Sequence, residues 1–79
     1  MTREEVKAEL DREPFLPLRI YHRDGRVFLV RNPKEVWVLG TALFIAYPER
    51  PGSRAITGHD LVSYIHIDRV ETVPVAATA

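Results

Sequence analysis

The middle of this chain is apolar on both sides of every strand it can form. Val27 and Leu29 point one way while Phe28 and Val30 point the other. The pattern repeats with Val36 and Val38 against Trp37 and Leu39, and with Leu43 and Ile45 against Phe44 and Ala46. A lone antiparallel sheet with one wet face alternates apolar with polar instead. The second face here demands a cover. An N-terminal helix supplies part of it, and a strongly bent small barrel or a second subunit must supply the rest. At 79 residues the chain makes one domain and not two. A domain of that size buries only about 60% of its unfolded surface, so self-association is a common remedy for the thin core.

The elements follow from local chemistry. Thr2-Arg3-Glu4-Glu5 has the form of a capping box, and Val6 and Leu10 then lie one turn apart on a single apolar face. Pro14 predicts a helix end at Arg12 or Glu13, because the residue before proline avoids helical geometry. Leu18 to His22 and Arg26 to Arg31 flank Asp24-Gly25, which predicts a hairpin with a type I′ turn. Asn32-Pro33 interrupts the second strand, since proline donates nothing to a ladder. Strands are predicted over Val36–Leu39 and Ala42–Tyr47, turning at Gly40-Thr41. Pro48–Arg54 is the one long polar loop and the segment expected to be most mobile. A strand over Gly58–Tyr64, beginning as early as Ala55, and one over Asp68–Val73 complete the set. Between them Ile65-His66-Ile67 reads as a short 3-10 turn or as more strand. One domain over residues 1–74 is predicted, followed by a disordered tail at 75–79.

This order is similar to the Sm-like fold, an N-terminal helix followed by five bent strands. Leu18-Arg19-Ile20-Tyr21-His22-Arg23-Asp24-Gly25-Arg26 resembles the first Sm motif, and Asp60-Leu61-Val62-Ser63-Tyr64-Ile65-His66-Ile67 falls where the second belongs. Within it, Tyr64-x-His66 resembles the Y-K-H of Hfq-like proteins. The base-binding D-x-x-N pair has no counterpart in Gly40-Thr41-Ala42-Leu43, and the R-G of the second motif is absent. The resemblance therefore implies topology over residues 2–73, without the nucleotide-binding residues. The fold expected from it is mainly β: a helix and a five-stranded, strongly bent antiparallel sheet forming an Sm/SH3-like small barrel. The chain also resembles a group of short bacterial proteins of planctomycete-type genomes. Pro14, Phe15, Pro17, Arg19, Ile20, Asp24, Gly25, Arg26, Asn32, Pro33, His66, Ile67, Arg69, Val70 and Glu71 carry this likeness. It spans nearly the whole chain and implies no activity.

Composition narrows the chemistry. With no cysteine, disulfides, thiolate nucleophiles and cysteine zinc sites are all excluded. No apolar run approaches the roughly 20 residues of a membrane span. The N-terminus is dense in charge where a signal peptide would be apolar, so a cytoplasmic setting is expected. His22, His59 and His66 with Asp60 and Asp68 are the only metal-ligand candidates. They lack the spacing of known sites and read more simply as surface or turn histidines. Ser53 and Ser63 sit in no nucleophile elbow, and nothing visible raises a carboxyl pKa at Asp60, Asp68 or Glu71. No catalytic residue, cofactor, metal or small-molecule substrate is assigned.

Two surfaces remain. Net charge is zero, yet residues 14–34 carry Arg19, Arg23, Arg26, Arg31 and Lys34 against Asp24 alone. Arg19, Tyr21 and Arg23 on one face, with Arg26 and Arg31 across the turn, suit single-stranded nucleic acid or RNA through arginine forks and base stacking. The plainer alternative pairs those arginines with the acidic helix (Glu4, Glu5, Glu9, Asp11, Glu13). The second surface is the apolar excess: Trp37, Phe44, Tyr47 and Tyr64 are candidates for a homo-oligomer interface, because interface cores favour aromatics. The functional expectation is a non-catalytic, self-associating binding or assembly module, with nucleic-acid binding as the alternative.

Overall fold

The structure, a computed structural model, describes residues 1–73; the tail expected at 75–79 lies outside them. Helix α1 (Arg3–Leu10) starts as its capping box requires. The Thr2 hydroxyl accepts from the Glu5 N–H at 3.1 Å, and Glu5 Oε1 accepts from the Thr2 N–H at 2.9 Å. These bonds from Thr2 hold the Glu5 carboxyl below its usual range. The helix stops at Leu10, earlier than Pro14 alone suggests. Asp11 caps it, donating its N–H to Lys7 O at 2.9 Å, and the chain leaves through a cis Glu13–Pro14 peptide. Val6 and Leu10 are buried in the core, as the helical spacing predicts. The Met1 ammonium donates to the carbonyls of Tyr64 and Ile67 at 3.1 and 3.0 Å, tying the start of the helix to the far end of the chain.

Strands β1 (Leu18–His22) and β2 (Val27–Val30) form the expected hairpin, with Leu18 opposite Val30 and Tyr21 opposite Val27. Its turn is of another kind. Type I′ needs positive φ at Asp24 as well as Gly25, and among the described residues only glycines have it, Gly25 at φ 98°. His22 N–H bonds Arg26 O and Gly25 N–H bonds His22 O, closing a three-residue loop with a left-handed glycine. Asp24 braces this loop from within: Oδ1 accepts from the Arg26 N–H at 2.9 Å and Oδ2 from Arg26 Nε at 2.8 Å. The backbone bond from Arg26, more than its charge, lowers the Asp24 pKa.

The chain continues through β3 (Val36–Val38), β4 (Ala42–Pro48), β5 (Ile56–Ser63) and β6 (Ile67–Thr72). The five-stranded Sm/SH3-like small barrel is not formed. The described residues make two separate three-stranded sheets, ordered β2-β1-β6 and β3-β4-β5, and no ladder closes them into a barrel. The cause lies at Asn32-Pro33. Asn32 Oδ1 accepts from the Lys34 N–H at 3.0 Å and caps a 3-10 turn over Pro33–Glu35. What reads as one bent strand is thereby cut in two, β2 staying in the first sheet and β3 opening the second. A second 3-10 turn, Tyr64–His66, separates β5 from β6. The loop between β4 and β5 is closed by Glu49 N–H on Ala55 O at 2.9 Å and by Ser53 N–H on Arg50 O at 2.9 Å. Gly52, at φ 81° after Pro51, suits a type II turn there.

The inner faces of both sheets meet α1 in one core. Leu18 and Ile20 of β1, Leu43 of β4 and Val62 of β5 are almost wholly buried in it, along with Val6. No helix is long and apolar enough to cross a membrane among the described residues.

Candidate assembly surface

The second sheet decides where the surplus apolar surface goes. Register places Trp37 opposite Phe44 and Phe44 opposite Leu61. These three side chains therefore share a row across β3, β4 and β5, on the face away from the core. Trp37 is 52% exposed and Leu61 61%, with Phe44 half-buried between them. The Trp37 and Phe44 rings meet edge to face at 5.6 Å, and His59 stacks on Phe44 at 5.0 Å, only 13° from parallel. Leu39, 43% exposed, extends the patch just past the end of β3. Neither the helix nor the first sheet covers this face.

The row ends on an open strand edge. Leu39 N–H bonds Ala42 O, so Ala42 and alternate residues after it turn their backbone groups towards β3. Leu43, Ile45 and Tyr47 turn theirs towards β5, where Val62, Asp60 and Gly58 face them. The backbone groups of His59, Leu61 and Ser63 consequently point out of the sheet, and among the described residues β5 has no neighbour on that side.

Of the four aromatics expected at an interface, Trp37 and Phe44 lie together on this face. Tyr64 does not: it is 5% exposed, part of the core, and its hydroxyl donates to Leu39 O at 2.7 Å. Tyr47 lies on the opposite face at the far end of β4 and donates to Asp60 Oδ2 at 2.6 Å. Desolvation, followed by the carboxylate beside it, pushes its pKa up to about 12. Leu61 and Leu39 were not singled out, because an exposed leucine becomes informative only when register shows its neighbours.

The outward face of the first sheet carries the basic candidates, rearranged. Arg19 stands between Leu29 and Glu71, and Tyr21 between Val27 and Arg69. The Arg69 guanidinium sits 3.8 Å from the centre of the Tyr21 ring, and its Nε donates to Glu71 at 2.9 Å. Arg69 is the member that sequence reasoning missed; its alternation with Glu71 carries meaning only once β6 is known to flank β1. Arg26 is held by Asp24 and lies over Phe28 at 5.2 Å, while Arg23 and Arg31 are exposed. The anticipated pairing with the acidic helix is not seen, because the helix uses its own bases: Arg3 with Glu4, Lys7 with Asp11 and Arg12 with Glu9. Arg19, Arg23 and Arg31 are in no ion pair among the described residues.

His22 and His66 meet edge to face at 5.6 Å, whereas His59 belongs to the other sheet. Among the described residues no three histidine or carboxylate side chains gather as metal ligands. An open groove of about 620 Å³ runs between β2 and the turn after β4, lined by apolar residues with Arg31, Glu35, Glu49 and Arg50 of mixed sign. No protein-family model, curated protein or solved structure matches the chain.

Proposed function

We propose that the chain is a non-catalytic, self-associating assembly module of the cytoplasm, and that the outer surface of the second sheet is where it holds its partners. The observation that carries this reading is the row Trp37, Phe44 and Leu61, which leaves a tryptophan and a leucine more than half exposed on one face. Isolated exposed leucines are ordinary, but a contiguous apolar patch marks an interaction site. Light scattering on the purified protein at micromolar concentration tests it. A mass that is a multiple of 9.1 kDa is expected, and a monodisperse monomer throughout the accessible range overturns the reading.

A second reading has its own support. Among the described residues Arg23 and Arg31 are in no ion pair and Arg19 has only Glu71 across the strands from it, and guanidiniums left free of close carboxylates suit a phosphodiester chain. Titration with labelled single-stranded oligonucleotides at two salt concentrations tests it. Binding that weakens with salt is expected if phosphates are held; no binding at low salt removes the reading.

A further inference from the structure

We infer that two copies of this chain join through β5, pairing antiparallel about Leu61 to build one six-stranded sheet. The inference rests on the self-association reading alone and moves the contact from the outer face to the strand edge at which its apolar row ends.

Sheet edges are ordinarily guarded by shortness, charge or proline. Among the described residues three of the four sheet edges are guarded. Strand β3 has three residues, β2 has four between Arg26 and Arg31, and β6 carries Asp68, Arg69 and Glu71. Strand β5 is different: eight residues long, with neither lysine nor proline. Its one charge, Asp60, is turned to the inner face and bonded by Tyr47. The outward backbone groups belong to His59, Leu61 and Ser63, an uncharged series.

Register selects the partner. A two-fold axis at Leu61 sets Leu61 against its own copy and His59 against Ser63 of the second copy, with each pair exchanging both backbone bonds. Outer faces stay on the same side, so the apolar row continues unbroken from Trp37 of one copy to Trp37 of the other. Asp60 then faces Val62 of the second copy, and no like charges oppose. Centring on Asp60 instead would make the two carboxylates a non-hydrogen-bonded pair, the closer of the two kinds, and set them against each other.

Ser63→Pro provides the test. Ser63 has φ −65°, the proline value, and its N–H points out of the sheet, so the substitution leaves the intrachain ladder intact. It removes two intermolecular hydrogen bonds, one at each end of the contact. At about 1 kcal/mol each, this raises the dimer Kd by about 30-fold or more. Light scattering is expected to show twice 9.1 kDa for the wild type and a monomer for Ser63→Pro with an unchanged circular dichroism spectrum. Should that variant misfold, Leu61→Lys sets like charges across the axis and is expected to dissociate the dimer. A dimer that survives either folded variant at the same Kd overturns the β5 contact while leaving self-association standing. A wild-type mass above two copies overturns it likewise, because a two-fold edge contact is closed at two. A wild-type monomer removes both readings. Trp37 lies at the far side of the row, so its emission is expected to stay constant as the dimer is diluted apart; a red shift on dilution identifies face-to-face contact and overturns the edge.

Discussion

Single residues in this protein act mostly through backbone groups that would otherwise lack partners. The Thr2 hydroxyl satisfies an N–H of the first helical turn, so Thr2→Ala is expected to lower stability by about 1 kcal/mol in urea titration. Gly25 holds φ 98° with open space around its Cα. Gly25→Ala therefore costs conformational strain without a clash, about 1 kcal/mol by the same measurement. Tyr47 supplies a pH signature. Its hydroxyl stays protonated to about pH 12 in the folded chain, against about 10 in the unfolded one. The contribution is whole below pH 10 and disappears as pH rises to 12, because the unfolded state ionises first. Alkaline unfolding followed by circular dichroism is expected to lose that part of its pH dependence in Tyr47→Phe. Of these three positions, Thr2 was legible outright through its spacing to Glu5. Gly25 was legible as a turn residue but not as to turn type, because Asp24 uses its carboxylate to brace the loop rather than adopting positive φ. Tyr47 was not legible, since its partner Asp60 lies 13 residues on and only the β4–β5 register joins them.

At the scale of elements, alternation located the strands well and described their union badly. Strand β1 and the docking side chains Val6 and Leu10 lie where periodicity puts them, β4 and β6 fall within a residue of it, and the helix starts as expected but ends two to three residues early. What periodicity does not contain is sheet membership. Asn32-Pro33 was visible as a bend, yet a bend within a strand and a break between sheets differ only in what the proline's neighbours bond to. Here Asn32 caps the next turn and the strand is severed. The same alternation identified both apolar faces of the central strands without saying which would be covered. Leu43 and Leu61 mark the outcome, one fully buried and the other 61% exposed on adjacent strands. Leu43→Ala is expected to destabilise the fold by about 2–5 kcal/mol. Leu61→Ala, measured on the monomeric Ser63→Pro background, should change stability by less than about 0.5 kcal/mol. Comparable losses at both sites in denaturant unfolding would place the core on the wrong face.

The whole molecule is organised around β1, which has its near neighbour in sequence, β2, on one side and the last strand, β6, on the other. Leu18 lies opposite Val30 and also opposite Thr72. That arrangement has a temporal meaning. On the ribosome the hairpin is available early, but one side of β1 stays bare until Ile67 and the residues after it emerge. At about 5–20 residues per second, the 45 positions from His22 to Ile67 take roughly 2–9 s, far longer than the microseconds in which a hairpin forms. For those seconds the nascent chain offers Leu18 and Ile20 beside an unpaired edge, and only the final strand of the sheet ends that exposure.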